Sequence, residues 1–293
     1  MAFRPSGPRP LPFTPFPMDL IAATDVRSYA RMSAAELRSA FLLGGLFRPG
    51  RVSLRYWETD RAVVGGAVPT RGRLVLPTAP ALAADHFCAR RELGVLNLGG
   101  EGTVEVDGRA FALGALDCLY VGRGARRVVF SSRRAARPAR FYLLSYPAHA
   151  AHPTALLRRA DVAGVEIGAP ASANARTIYK YIHAGGLASC QLVMGVTVLK
   201  SGSVWNTMPP HTHSRRSEVY LYFDVPADAA VLHLMGPPDE TRHLFVHDLE
   251  AVLSPPWSIH SGAGTANYGF VWGMGGENQD FADMDPAPLA TLR

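Results

Sequence analysis

Lysine is nearly missing from this chain: Lys180 and Lys200 are the only two among 30 basic residues. A mechanism built on a lysine Schiff base therefore has few candidates. Cysteine is scarce too, and Cys88, Cys118 and Cys190 are odd in number and far apart. That spacing offers no disulfide framework and makes the cytoplasm the expected compartment. No run of about 18 apolar residues occurs, so no membrane-spanning helix is expected. The proline-rich start, "MAFRPSGPRPLPFTPFPMD", lacks the continuous apolar segment of a signal peptide and reads as an irregular arm. Charge is thin and unevenly spread. Residues 1–160 hold 23 basic against 11 acidic side chains, net +12, while residues 161–293 hold 7 against 13, net −6. Arginines of the basic half, such as Arg51, Arg55, Arg61, Arg71 and Arg73, are dispersed, without a basic helix or an aromatic stacking pattern. No nucleic acid partner is expected.

With 48% hydrophobic and 18% charged residues, the 293-residue chain has the composition of a soluble globular protein of one large or two ordinary domains. Most of it reads as short strands punctuated by glycine and proline. "TVEVDGRAFAL" carries two alternating runs around Asp107-Gly108, a pair suited to a two-residue hairpin turn. "VLHLMGPPDETRHLFV" repeats the arrangement with Pro237, Pro238 and Asp239 in the turn. Helix is scarce; "MSAAELRSAFLLGG" is the best candidate, with Ser33 and Glu36 at capping-box spacing and Gly44-Gly45 as a stop. The fold class is all-β, made of sandwiches or barrels.

The two halves are related. At an offset of 133, "RAFALGALDCLY" lies over "RHLFVHDLEAVL", matching Arg109 to Arg242, Leu116 to Leu249 and Asp117 to Glu250. At an offset of 126, "DHFCARRELGVLNL" lies over "HTHSRRSEVYLYFD", so Glu92 matches Glu218 while Asp85 and Phe87 stand where His211 and His213 do. This pattern predicts two similar barrels, roughly 55–155 and 175–280, of which only the second can hold a metal.

Side chains two apart on a strand share a face, so His211 and His213 can present their imidazoles to one space. Glu218 has the wrong parity for the same continuous strand, so Ser214–Ser217 must bend the chain before a new strand that also carries Tyr220 and Tyr222. Two imidazoles and a carboxylate suit zinc, with iron, manganese or nickel also open on ligand type. His260, in "SPPWSIHSGAG", is the expected fourth ligand, from a later strand of the same barrel. Other histidines have plainer expectations: His149 and His152 in a loop, and His233, His243 and His247 on exposed strand faces. Cys190 is expected to be a small buried apolar residue.

Here a family resemblance enters. "SCQLVMGVTVLKSGSVWNTMPPHTHSRRSEVYLYFDVP", "HLMGPPDETRHL" and "SPPWSIHSGAGTANYGFVWGMGGENQDFADMD" closely resemble the 5-keto-4-deoxyuronate isomerases of pectin breakdown, also called 4-deoxy-L-threo-5-hexosulose-uronate ketol-isomerases. The likeness extends into the first half through "RRELGVLNLGGEGTVEVDGRAFALGALDCLYVG" and "RFYLLSYPAHAAHPT". It implies tandem cupin barrels, or double-stranded β-helices, the first (55–155) without metal and the second (175–280) with it, after an arm and short helix in 1–54. One zinc ion per chain would be held by His211, His213, Glu218 and His260, in a protein that is typically a homohexamer.

The implied reaction interconverts 5-dehydro-4-deoxy-D-glucuronate with 3-deoxy-D-glycero-2,5-hexodiulosonate, an aldose–ketose change with a small keto-deoxyuronate as substrate. A metal would act as Lewis acid. Tyr220, Tyr222, Glu277 and Asp280 are candidate catalytic residues, and Arg176, Lys180, Arg216 and Arg242 are candidates for the substrate carboxylate. Two alternatives share the ligand pattern: an iron-dependent cupin dioxygenase and a non-catalytic sugar-binding cupin.

Overall fold

The computed structural model describes residues 18–293, so residues 1–17 of the proline-rich stretch lie outside the described residues. Its strands form two similar pairs of sheets. In the first half a seven-stranded sheet runs Asp19–Ile21, Val52–Trp57, Ala62–Ala67, Phe141–Pro147, Arg91–Asn97, Cys118–Val121, Ala155–Leu157. A four-stranded sheet of Leu74–Val75, Val128–Ser132, Gly102–Val106 and Arg109–Leu113 accompanies it. The second half repeats the plan with Gly164–Ile167, Arg176–Ile182, Val193–Leu199, Gly269–Gly276, Arg216–Phe223, Ala251–Ser254 and Leu42–Leu43. Its four-stranded sheet comprises Trp205–Asn206, Ile259–Gly264, Val231–Gly236 and Arg242–Val246. The fold is all-β, two barrels in tandem.

Local chemistry explains the turns. Asp107 (φ 49°) and Gly108 (φ 87°) sit between paired Val106 and Arg109, the two positive φ values of a type I′ hairpin. Pro237–Asp239 lie in the loop that closes the second hairpin, where Met235 pairs with Arg242. The repeat is visible in backbone detail: Leu116 (φ 63°) and Leu249 (φ 59°) are both left-handed. Beside them, Asp117 and Glu250 each accept the backbone N–H of the residue three positions earlier.

Ser33 and Glu36 form the expected capping box on helix Ala34–Phe41. The helix ends before Gly44-Gly45 because Leu42 and Leu43 leave it to pair with Val252 and Ala251 of the second barrel. Tertiary pairing, not glycine, is the stop. A second short helix, Val26–Tyr29, is capped by Asp25. Tyr29 donates its hydroxyl to Met235 O (3.1 Å), and Arg38 reaches Phe245 O (2.9 Å). The N-terminal segment is thus bound onto the far barrel.

Leu54, Leu93, Val95, Val104, Phe130 and Phe141 fill the first barrel. A larger core runs through the second barrel and across the junction, where Leu144 and Tyr146 meet Met194, Val219 and Leu221. Closeness there depends on glycine. A Cβ at Gly273 would lie 2.1 Å from Leu144 Cδ2, and one at Gly275 would lie 2.4 Å from Tyr146 Cδ1. Any side chain at either place would push the barrels apart.

Sheet register corrects one sequence match. Leu93 pairs with Val121 and Ser145, as Glu218 pairs with Ser254 and Met274. Leu93, not Glu92, therefore occupies the position of Glu218, because the repeats are offset by 125 here. Glu92 points the other way, into the junction. Its carboxylate accepts the N–H groups of Cys190 (2.7 Å), Gln191 (2.8 Å) and Leu192 (2.8 Å) and the Tyr120 hydroxyl (2.8 Å).

Candidate metal centre

Each donor reaches the centre from a different piece of backbone. His211 belongs to the two-residue strand His211–Thr212, paired with Asp285–Pro286 near the C-terminus. His213 follows at once. The chain turns at Ser214-Arg215 and enters the strand Arg216–Phe223, where Glu218 faces inward; that strand begins two residues earlier than the sequence predicts. His260 arrives from Ile259–Gly264.

Their donor atoms converge. His211 Nε2 lies 3.1 Å from both His213 Nε2 and His260 Nε2, and Glu218 Oε2 lies 2.9 Å from His213 Nε2 and 3.0 Å from His260 Nε2. All four ligand atoms fall within 4.8 Å of one another. A tetrahedral ion with bonds of about 2.0–2.1 Å sets its donors roughly 3.3 Å apart, so the cage has the right size for a divalent metal. The tautomers agree: His213 Nδ1 donates to Asp283 O (2.8 Å), and His260 Nδ1 lies 3.2 Å from Ser254 Oγ. Holding the proton on Nδ1 of His213 leaves its Nε2 lone pair for a ligand bond.

Electrostatics point the same way. Burial, then the neighbouring His260 and His213, push the His211 imidazole down to about 3, so it is neutral at neutral pH. For Glu218 burial works upward, but His260 and His213 overcome it and hold the carboxyl well below its usual range. The cage thus presents a neutral His211 imidazole and an ionised Glu218 carboxylate, donors suited to a divalent ion.

Beside the cage lies a cavity of about 350 Å³. Tyr220, Thr207 and Arg176 supply its polar wall, and Ile178, Phe270, Trp272, Met274, Phe281 and Met284 its apolar one. Tyr220 Oη is 3.1 Å from Thr207 Oγ1. Burial, then Glu218, raises the Tyr220 phenol well above its usual value.

The remaining sequence candidates are scattered. Tyr222 lies deeper, its hydroxyl 2.7 Å from His233 Nδ1. Glu277 and Asp280 are exposed and do not line the cavity. Lys180 places its ammonium 3.9 Å above the Phe281 ring. Arg242 is spent on the carbonyls of Ala30 (2.6 Å) and Met32. Arg216 is buried and binds the carbonyls of Asp280, Phe281 (3.5 Å) and Asp283 (2.9 Å). Together with Arg215, which grips the carboxylates of Asp283 and Asp285, it fixes the C-terminal segment that orients His213. Sequence reasoning missed this segment, Thr207 and the Trp272–Phe281 wall.

Two expectations need correction. His233 is fully buried, not on an exposed face, because strand parity groups it with Val231 and Met235 inside the barrel. Cys190 is half-buried and bonded through Sγ to Ala150 O (3.1 Å), not an apolar core residue. His243 and His247 are exposed, and His149 and His152 lie in a loop.

Burial of His233, whose Nε2 has no partner among the described residues, pushes its pKa down from 6.5 to about 3. The unfolded imidazole takes a proton near 6.5 that the folded one refuses until about 3. Stability is therefore complete above pH 6.5 and lost as pH falls through that window, by up to roughly 1.4 kcal/mol per pH unit for this residue. Urea midpoints measured from pH 7 to pH 5 should fall less steeply for His233→Gln than for the wild type. Equal slopes would contradict the assignment.

Two antiparallel barrels in one chain, the second gathering three imidazoles and a carboxylate at its mouth, define a tandem cupin. Comparison with known proteins narrows this. Residues 55–288 match the model of the KduI/IolB family, and the chain belongs to that family. It is 53% identical to the 4-deoxy-L-threo-5-hexosulose-uronate ketol-isomerase of Opitutus terrae over 265 residues, covering 90% of this chain and 95% of that protein. It is 51% identical to the 4-deoxy-L-threo-5-hexosulose-uronate ketol-isomerase 2 of Rhizobium meliloti, covering 92% and 96%. Among solved structures it resembles an IolB-like protein from Salmonella typhimurium, with a TM-score of 0.68 and 15% identity over 82% of this chain and 94% of that one. The oxalate decarboxylase of Lactobacillus farciminis shares the fold more distantly, with a TM-score of 0.54 and 10% identity over 83% and 89%.

Proposed function

We propose that this chain is a zinc-dependent ketol-isomerase that interconverts 5-dehydro-4-deoxy-D-glucuronate and 3-deoxy-D-glycero-2,5-hexodiulosonate. The observation that carries the reading is the four-donor cage opening onto a cavity that also holds Arg176 and Tyr220. Relatives named as 4-deoxy-L-threo-5-hexosulose-uronate ketol-isomerases, similar over nearly their whole length, support the choice of substrate. His211, His213, Glu218 and His260 would hold the ion. When bound, it supplies Lewis-acid polarisation of the substrate carbonyl without any redox step, which suits zinc.

The chain's own residues bind and shield the substrate. Arg176 gives Nη1 to Asn174 O (2.7 Å), leaving its other N–H groups for the substrate carboxylate. Tyr220 is kept as a neutral phenol and donates its proton toward the substrate oxygen, steadied by Thr207. Phe270, Trp272 and Met274 wall the site on its apolar side while a base in exchange with solvent takes the proton from C2 and a proton is returned to C1, with no net change in electrons. Glu277 and Asp280 have no part in this arrangement. The same reading makes the first barrel a metal-free partner of the second. It places the protein in the cytoplasm, where three unpaired thiols are stable, as a homohexamer acting in polyuronate breakdown.

NMR of C1 and C2 during turnover in heavy water tests the proposal. Product carrying solvent deuterium at C1, with a rate indifferent to oxygen and abolished by chelation, is the expected result. Oxygen consumption, or activity restored by iron and not zinc, would replace this reading with an iron dioxygenase. In the same assay Arg176→Met should lower kcat/KM by about 10²-fold, chiefly through KM, since a carboxylate contact is lost.

A further inference from the structure

The first barrel has a mouth of its own, a cavity of about 260 Å³ among Tyr56, Leu82, Phe87, Arg61, Arg90 and Arg91. Register makes Arg91 the counterpart of Arg216: Arg91 pairs with Pro147, and Arg216 with Gly276. The two guanidiniums are satisfied differently. Arg216 fills its fork with carbonyls of the C-terminal segment. Arg91 gives Nε to Ser145 Oγ (3.1 Å) and Nη2 to the carbonyls of Arg61 and Ser145 (2.9 Å), while among the described residues no hydrogen bond engages Nη1. It is only 6% exposed.

Among the described residues no carboxylate pairs with Arg61, Arg90 or Arg91. None lines the cavity either. Burial is the main influence on the Arg91 guanidinium and lowers it only to about 10, so it stays charged at neutral pH. A buried cation without a counter-charge is costly to keep, and an anion beside it removes that penalty. Arg90 ties the cavity wall through Nη2 to Leu82 O (2.8 Å) and Ala83 O (2.7 Å), and Arg61 sits exposed at the rim.

We propose that this cavity is a second ligand site, for a compact metabolite bearing a carboxylate or phosphate, with Arg91 at its floor and Arg61 and Arg90 at its rim. The planar guanidinium forks match such oxyanions, and Leu82, Phe87 and Pro147 take the carbon skeleton. The site is separate from the metal cage and independent of the isomerase assignment.

Calorimetric titration of the full-length, metal-loaded protein tests it, with inorganic phosphate and D-glucuronate as separate probes. At least one should saturate at one molecule per chain, and the preferred probe tells a phosphorylated ligand from a sugar acid. The double variant Arg61→Gln with Arg90→Gln should bind roughly tenfold or more weakly with isomerase turnover unchanged, and binding should persist in His260→Ala. The proposal fails if neither probe saturates by about 10 mM, if the double variant binds as the wild type does, or if His260→Ala abolishes binding.

Discussion

His260→Ala should lose bound metal and isomerase turnover together, with the barrel still folded. Removing one of four donors leaves His211, His213 and Glu218 around a gap, and Glu218 loses one of the two imidazoles that its Oε2 faces. Turnover should fall on the order of 10²-fold or more, since even changes to groups that merely orient metal ligands lower affinity or activity 10–100-fold. The fold should survive because the surrounding core is apolar and contiguous, with Ile259, Val231 and Met235 fully buried nearby. Elemental analysis beside circular dichroism checks both halves of the expectation. A folded variant with wild-type metal content and wild-type rate would remove His260 from the site.

Glu92→Ala should cause the largest loss of stability, about 3–5 kcal/mol, with little change in activity per folded molecule. Its fully buried carboxylate gathers three consecutive backbone N–H groups from Cys190–Leu192, plus the Tyr120 hydroxyl. Alanine leaves four donors without their acceptor. Glu92→Gln keeps one oxygen and turns an amide NH₂ toward donors, so it should lose less. Thermal melts would check the order wild type, Gln, Ala; equal melting temperatures across the three would show that the junction does not depend on this residue.

Glu92 also marks where sequence reading stops. Its match to Glu218 rests on an offset of 126, where Glu92 follows a pair of arginines and Glu218 an arginine pair and a serine. The sheets show that one residue separates the two alignments, and one residue turns a side chain to the opposite face. Features written in neighbouring residues were legible: the Asp107-Gly108 turn, the Ser33–Glu36 capping box and the His211–His213 pair. His233 shares strand parity with the buried Val231 and Met235, so alternation rather than side-chain polarity decides which way it faces. The carbonyl of Asp283 that fixes His213, and the carbonyls that occupy Arg216, were out of reach. Every residue has a carbonyl, so no sequence pattern advertises which one will meet a histidine 70 positions away.

The strand Leu42–Leu43 has a bearing on how the chain is made. It completes the sheet of the second barrel by pairing with Ala251 and Val252, and Tyr29 in the same segment bonds to Met235, 206 residues further on. A ribosome adding about 5–20 residues per second delivers those partners tens of seconds after the segment emerges. Through that interval Tyr29 and Phe41, both buried in the finished protein, lack the Trp257 ring that they pack against. The first barrel can close early, but the segment that precedes it must be folded last. Nascent chains stalled before residue 231 should therefore expose this apolar stretch and engage chaperones, whereas chains released after residue 276 should not.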